Sequence, residues 1–337
     1  MARDEVLLVT RRWWERYGEE TASLARQAGG RLLPLFLPHD PAARLDESER
    51  ARITLAFFSG DVYPVYSRSF FAAVHGAPNL RWLHVFNAGV DNPVFGRILA
   101  RGVRITTSSG STARPIAQTA ISGMLLLARP WRRWLDARSR RAWEPVPPEE
   151  VPADLEGQTI TVVGLGAIGS EIARLARAFG LHVIGVRRSP ATGAEPVDEL
   201  VHPRDLDGVL PRTHWLALAC PLTPETRGLI DARRIALLPP GACILNVARG
   251  EVVDEDAMIA ALQTGRLGGA YLDVFAVEPL PPESPLWEMP NVFISPHNSA
   301  AAQGNEARVA AIFQRNVARW FRGEPLENEV GAGDVGG

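Results

Sequence analysis

The run of residues 159–169 constrains the fold more than any other part of the chain. Five apolar or β-branched residues, 159–163, predict a buried strand, and a helical pattern begins directly after the glycines that follow it. Those glycines form the pattern Gly-x-Gly-x-x-Gly: Gly164, Gly166 and Gly169. The first glycine makes the tight turn, the second lets the backbone approach a pyrophosphate, and the third lets the helix pack on the strand. The helix start at Ala167 and Ile168 would turn its N–H groups towards the phosphates. The run therefore predicts a dinucleotide site.

The end of the next predicted strand, 181–186, bears on which dinucleotide is bound. Enzymes that prefer NAD usually carry an acid there for the ribose hydroxyls. This chain has Arg187, Arg188 and Ser189 instead, and no acid until Glu195. Guanidinium groups suit a 2′-phosphate, so the sequence predicts NADP(H) as the preferred cofactor, with NAD(H) left open. The alternative is a pair of solvated surface arginines.

Composition excludes several classes of protein. The net charge of −2 gives no basic field for nucleic acid, and no apolar run is long enough to span a membrane. The chain contains no lysine, which excludes Schiff-base chemistry. Cys220 and Cys243 lie in apolar runs that predict strands, so we expect buried thiols and no metal site. The start of the chain has no signal-peptide pattern, and a cytoplasmic location is expected.

The order of the predicted elements indicates an α/β fold with two doubly wound, parallel-sheet domains, Rossmann-like or flavodoxin-like. We expect a dinucleotide-binding domain at 113–298. The substrate domain, 1–112 with 299–337, is discontinuous because a final helix at 304–321 packs back on it. A single long helix is predicted at 113–141, and a proline-rich exposed connector at 144–154. The apolar residues of that long helix exceed what one surface helix needs, which predicts a homodimer.

Four notable residues stand where the predicted strands of the dinucleotide domain end. They are Pro221, Arg249, Asp273 and His297. Ligands in parallel sheets bind outside the carboxyl ends of the strands, so these residues mark a site. An arginine there suits the carboxylate of a substrate. A carboxylate such as Glu278 beside His297 would fix the tautomer of the imidazole and favour its charged form, as a general acid requires.

Several stretches together resemble the D-isomer-specific 2-hydroxyacid dehydrogenases, most closely the NADPH-dependent glyoxylate/hydroxypyruvate reductase branch. The resemblance spans nearly the whole chain and lies in residues 87–91, 164–169, 220–228, 245–250, 272–279 and 295–297.

The resemblance implies a role for each matching residue. Arg249 would orient a small 2-oxo acid, His297 would be the acid/base, and Glu278 would tune it. Backbone amides of Ala88 and Gly89 would hold the substrate carboxylate. Asp273 would contact the nicotinamide carboxamide. The remaining positions of the matching motifs would line the cofactor site: Cys220, Pro221, Thr226, Val247 and Ala248.

The sequence is compatible with three hypotheses for the function. The leading one is reduction of a glyoxylate- or hydroxypyruvate-like 2-oxo acid to the D-2-hydroxy acid. A short-type, NAD-dependent phosphoglycerate dehydrogenase is the rival enzyme, and a dinucleotide-sensing scaffold without catalysis is the rival of another class. The chain departs from the family pattern at Arg187, at Gln118 and at Asn298-Ser299.

Overall fold

The computed structural model describes residues 3–90 and 92–331, and its contacts divide into two compact units. The first unit comprises the described residues up to Ser111 together with those from Gln303 onward, and the second is Thr112–Ala302. The boundaries expected from the sequence were 112/113 and 298/299. Asp91, which belongs to one of the family-like stretches, lies outside the described residues, as do residues 332–337.

The chain alternates strands and helices in both units. The first unit contains β1 Arg3–Val9, α1 Arg11–Gln27, β2 Gly30–Phe36, α2 Glu47–Arg52, β3 Leu55–Phe58, α3 Ser67–His75, β4 Trp82–Val85, α4 Pro93–Leu99 and β5 Arg104–Thr107. The second contains α5 Ala113–Ala128, α6 Trp131–Ser139, β6 Thr159–Val163, α7 Ala167–Ala178, β7 His182–Val186, β8 Glu199–Val201, α8 Leu206–Val209, β9 Trp215–Leu218, α9 Ala232–Leu237, β10 Ala242–Asn246, α10 Glu255–Gln263, β11 Leu267–Leu272 and β12 Val292–Ile294. The last helix, α11 Asn305–Arg322, packs on α1 of the first unit.

Each unit is built on one sheet whose strands are paired in parallel. The order is β2-β1-β3-β4-β5 in the first unit and β12-β11-β10-β9-β6-β7-β8 in the second. The predicted fold class, α/β with two parallel-sheet domains, is confirmed. The order in the larger sheet reverses between β6 and β9, the place where such sheets bind ligands at the carboxyl ends of their strands.

Both faces of each sheet are covered, because neighbouring residues of one strand enter different cores. In β9, Leu216 and Leu218 pack in one cluster while Trp215 and Ala217 pack in another. The strands of the first unit divide in the same way between two clusters. Period-two alternation with both faces buried explains why the strands are almost continuously apolar in sequence.

The single helix predicted at 113–141 is wrong: α5 and α6 are separate helices. Pro130 stands between them, and Arg129 before it is extended, with φ −130° and ψ 151°. A proline disfavours the helical region for the preceding residue, which ends α5 there.

One smaller expectation needs correction, and two details add to what the sequence predicts. Cys220 lies two residues beyond β9 and is buried in the loop that follows this strand, not in a strand. The connector at 144–154 contains one short 3₁₀ turn, Pro148–Glu150. The edge strand β8 was not predicted.

No helix within 3–90 and 92–331 is both long and apolar enough to cross a membrane.

Candidate functional site

The glycine turn after β6 has the geometry that a dinucleotide requires. Gly164 has φ +94°, and a Cβ there would lie 2.7 Å from Cα of Cys220. A Cβ on Gly169 would lie 1.8 Å from the carbonyl oxygen of Gly164. Both positions exclude any larger residue, since one needs the left-handed region and both lack room. The turn and the start of α7 are therefore held close together by glycine.

The second glycine of the motif faces open space. A Cβ on Gly166 would meet no atom within 4 Å, and Gly166 begins α7 without a side-chain cap. The first turn of α7, which starts at Ala167 and Ile168, carries no acidic residue. Its N–H groups and the helix dipole are thus available to an anion. The residues present fit the pyrophosphate of a dinucleotide.

The two arginines after β7 differ in their surroundings. Arg187 donates from Nη2 to Oε1 of Glu195 over 2.5 Å and from Nε to the carbonyl of Ser189 over 3.1 Å. Its side chain is largely buried, whereas Arg188 is exposed. The acid that the sequence places eight residues away is therefore folded back onto Arg187. Nothing in the linear pattern could have revealed this contact.

The loop after β9 is fixed by its own hydrogen bonds. Thr226 Oγ1 donates to the carbonyl of Pro221 over 2.7 Å and accepts from the N–H of Thr223 over 2.7 Å. Burial raises the pKa of the Cys220 thiol to about 11. Cys220 is therefore a protonated packing residue beside the glycine turn and not a nucleophile.

Arg249 follows β10 in a tightly packed segment. The N–H of Val247 donates to the carbonyl of Leu218 over 3.1 Å, and the N–H of Ala248 donates to the Asn246 side chain over 3.0 Å. A Cβ on Gly250 would lie 1.9 Å from the carbonyl carbon of Phe275. The backbone beside Arg249 is thus pressed against the segment that follows β11.

Glu278 and His297 form the pair that the sequence suggested. Nδ1 of His297 lies 2.7 Å from Oε2 of Glu278, and Oε1 of the same carboxylate accepts the N–H of Phe275 over 3.1 Å. Both side chains are part-exposed, 47% for His297 and 35% for Glu278, so a substrate can reach the imidazole. Contact at Nδ1 leaves Nε2 as the atom that faces away from the carboxylate.

Asp273 organises the segment that carries His297. Its carboxylate is buried and accepts hydrogen bonds from the hydroxyl of Ser295 and from the N–H groups of Asn298 and Ser299, at 2.6, 3.0 and 3.0 Å. The Ser299 hydroxyl donates to its other oxygen. His297 has φ +50°, a conformation that a residue with a side chain adopts only when its surroundings fix it. The carboxylate of Asp273 supplies that constraint.

A mostly apolar cavity of about 400 Å³ adjoins the Glu278–His297 pair. It is lined by these two residues and by Phe275, Pro279, Leu280, Trp287, Ile294 and Pro296. Trp287 is half-exposed and is fixed by its indole N–H, which donates to the carbonyl of Pro281 over 2.9 Å. Leu280 and Ile294 were not recognised from the sequence as site residues, because isolated apolar residues resemble ordinary core.

Ala88 and Gly89, the expected carboxylate loop, belong to the first unit. They follow β4, and the side chain of Asn87 donates to the carbonyl of Gly89. Ala88 is exposed. The second unit brings together the other expected site residues at the carboxyl edge of its sheet.

Comparison with known proteins gives one matching family and several relatives. The family described as D-isomer specific 2-hydroxyacid dehydrogenase, NAD binding domain, matches residues 121–299. A glyoxylate reductase of Korarchaeum cryptofilum is 31% identical over 75% of this chain and 77% of its own length. A D-3-phosphoglycerate dehydrogenase of Methanocaldococcus jannaschii is 30% identical over 76% of this chain, which spans only 48% of that relative.

Two solved structures extend the similarity over almost the whole chain. A D-isomer specific 2-hydroxyacid dehydrogenase from Xanthobacter autotrophicus Py2, in complex with NADPH and MES, has a TM-score of 0.75 and 31% identity, covering 98% of this chain and 99% of that one. An NADPH-dependent glyoxylate/hydroxypyruvate reductase from Sinorhizobium meliloti, in complex with NADP and sulfate, has a TM-score of 0.74 and 27% identity, covering 99% of each. The chain thus belongs to the D-isomer specific 2-hydroxyacid dehydrogenase family of NAD(P)-dependent oxidoreductases.

Proposed function

We propose that this enzyme reduces a small 2-oxo acid of the glyoxylate or hydroxypyruvate kind to the D-2-hydroxy acid, with NADPH as reductant. The observation that carries the proposal is the Glu278–His297 contact of 2.7 Å at the carboxyl edge of the larger sheet. A chain that only sensed a dinucleotide would need the glycine turn but no imidazole–carboxylate pair beside a cavity. The glyoxylate reductases among its relatives support the choice of substrate class.

The cofactor would be held by the second unit. The open backbone at Gly166 and the start of α7 suit the pyrophosphate, and Arg187, Arg188 and Ser189 suit a 2′-phosphate. When bound, the reduced nicotinamide supplies a hydride to the carbonyl carbon of the substrate. Two structural neighbours that contain NADPH or NADP support this preference.

The protein must provide a proton, because the carbonyl oxygen becomes a hydroxyl group. We assign this to His297, whose charged form donates from Nε2 while Glu278 accepts from Nδ1. Loss of that proton leaves a neutral imidazole, which solvent reprotonates. The guanidinium of Arg249 would hold the substrate carboxylate and stabilise negative charge on the carbonyl oxygen. Asp273 takes part as a positioning residue, since its carboxylate already receives four hydrogen bonds from the chain.

We also propose that the loop at Ala88 and Gly89 of the first unit binds the carboxylate of the substrate. Backbone N–H groups of this loop could bind a carboxylate without a charged side chain. The apolar cavity beside His297 has room for a small substituent on the substrate.

An NAD-dependent phosphoglycerate dehydrogenase remains the second candidate, and the relatives of that activity favour it. A panel of 2-oxo acids assayed with NADPH and with NADH decides between the two. We expect the highest kcat/KM with glyoxylate or hydroxypyruvate and NADPH. Oxidation of 3-phosphoglycerate with NAD, without reduction of glyoxylate, would contradict the proposal. Arg187→Asp should lower kcat/KM for NADPH and partly restore use of NADH.

We also propose a two-fold homodimer. Trp131, Trp134 and Leu135 of α6 are exposed, and Trp143 beyond it is 96% exposed. Large apolar side chains gathered on one segment of a surface mark an interface. Sedimentation should show a dimer at micromolar concentration, and Trp134→Glu should shift it towards monomer. A wild-type monomer would contradict the proposal.

A further inference from the structure

The turn after β7 contains an internal ion pair in the region where the ribose of the cofactor would bind. Arg187 reaches Glu195 over 2.5 Å, and the two side chains are 19% and 9% exposed. The N–H of Gly164 donates to the carbonyl of Val186 over 2.9 Å, so this strand end adjoins the glycine turn. The pair therefore lies beside the nucleotide-binding backbone and not on a remote surface.

Glu195 is held in place from several directions. Oε1 accepts from the N–H and the hydroxyl of Thr192 over 2.8 and 2.6 Å, and Oε2 accepts from the N–H of Gly193 over 2.9 Å. The hydrogen bonds from Thr192 are the main cause that lowers the pKa of Glu195 to about 2. The carboxylate is therefore charged throughout the working range of the enzyme, and its position does not depend on Arg187 alone.

The ion pair between Arg187 and Glu195 reduces the positive charge that Arg187 can offer to a bound nucleotide. Arg187 directs Nη2 to Glu195 and to the carbonyl of Pro190, and Nε to the carbonyl of Ser189, and no hydrogen bond from Nη1 occurs within the described residues. A 2′-phosphate must bind beside the carboxylate or take Arg187 from it. A 2′-hydroxyl has no charge, so it meets no such repulsion, and it can donate a hydrogen bond to a carboxylate.

We propose that Glu195 is a specificity-determining residue that competes with the 2′-phosphate for Arg187 and thereby narrows the preference for NADPH over NADH. The inference rests on the proposed use of NADPH. It predicts that the enzyme accepts both cofactors more evenly than its two arginines alone would allow.

The test is the binding of two nucleotide fragments to the full chain, measured by titration calorimetry without substrate. The fragments are adenosine 2′,5′-bisphosphate and 5′-AMP, which differ only in the 2′-phosphate. Glu195→Gln removes the charge and keeps most of the side-chain shape. We expect it to raise affinity for the bisphosphate about 5- to 30-fold, the value of one or two charge-assisted contacts, and to change 5′-AMP affinity by less than about twofold.

A matched control separates this effect from the general change in charge. Glu199 is on the neighbouring strand β8 and pairs with Arg212 over 2.7 Å. Glu199→Gln makes the same charge change in the same unit, at a carboxylate that pairs with Arg212 and not with Arg187. It should leave the ratio of the two affinities within about twofold of wild type.

Glu195→Gln made together with Arg187→Ala tests whether the gain in bisphosphate affinity depends on Arg187. It also separates this dependence from a gain that would come from unfolding of the loop. In Arg187→Ala, the addition of Glu195→Gln should raise bisphosphate affinity by less than about twofold. An equal gain in both backgrounds, or an unchanged or lower bisphosphate affinity in Glu195→Gln itself, would overturn the inference.

The two proposals fail in different ways. If the wild-type chain binds both fragments equally but Glu195→Gln favours the bisphosphate, the competition stands and the NADPH preference fails. If the wild type favours the bisphosphate and Glu195→Gln changes nothing, the preference stands and the competition fails.

Discussion

Glu278 bridges His297 and the backbone of Phe275 through its two carboxylate oxygens, at 2.7 and 3.1 Å. One oxygen orients the imidazole, and the other fixes the carboxylate to the segment that follows β11. The next strand end carries His297 itself. The imidazole is thus held between the segments that follow two neighbouring strands, β11 and β12.

Replacement of Glu278 by glutamine tests the charge of this pair. Glu278→Gln keeps an oxygen that can accept from Nδ1 but removes the negative charge that stabilises a charged imidazole. We expect kcat for 2-oxo acid reduction to fall about 10- to 100-fold, with NADPH affinity by fluorescence titration unchanged. Glu288→Gln, an exposed change nearby, is the control and should keep full activity. Equal kcat in the two variants would refute the pairing as functional.

Arg249→Lys tests whether a planar, two-pronged donor is needed. An ammonium group keeps the charge but cannot form two parallel hydrogen bonds with a carboxylate. We expect KM for the 2-oxo acid to rise and kcat to fall together, with kcat/KM lower by about 10²-fold or more. A change in KM alone, with kcat retained, would indicate that Arg249 only binds the substrate and does not assist the reaction.

His84 makes the stability of the first unit depend on pH. It is fully buried, and burial lowers its pKa from 6.5 to about 3. Its ring nitrogens lie 2.7 Å from Thr106 Oγ1 and 3.0 Å from Ser108 Oγ. Between these two pKa values the unfolded chain binds a proton that the folded chain does not, so stability is lost as the pH falls below about 6.5.

Urea denaturation at two pH values measures this loss. His84 should lower the free energy of unfolding by about 2 kcal/mol between pH 7 and pH 5. His84→Gln, which cannot gain a proton, should show a correspondingly smaller difference between the two pH values. The same pH dependence in both proteins would show that other groups are responsible.

Three of the candidate site residues could be proposed from sequence because the ends of parallel strands meet at one edge of the sheet. The strands β10, β11 and β12 are followed by Arg249, Asp273 and His297, respectively. Each of these strands is predicted by an apolar run in the sequence. The glycine turn was equally recognisable, because the pattern Gly-x-Gly-x-x-Gly between a predicted strand and a predicted helix lies within one short run of residues.

Other features could not be predicted in this way. They depend on how the chain folds back on itself or on a single residue that breaks a regular pattern. Pro130 interrupts a helical pattern that is otherwise continuous. The prediction of a single helix followed the pattern and gave the proline too little weight. The strand β8 has only three residues, too few for a periodic signal. Glu195 returns to Arg187 through an irregular loop, where neither helix nor strand periodicity applies. The hydrogen bonds of Asp273 likewise require knowledge of how residues 295–299 turn.

The rate of NADPH-dependent glyoxylate reduction by His297→Ala, measured beside NADPH affinity, tests the central claim most directly. If His297 delivers the proton, kcat should fall about 10²- to 10⁴-fold while the dissociation constant of NADPH changes by less than about twofold. A kcat within about threefold of wild type would contradict the assignment of His297 as the acid.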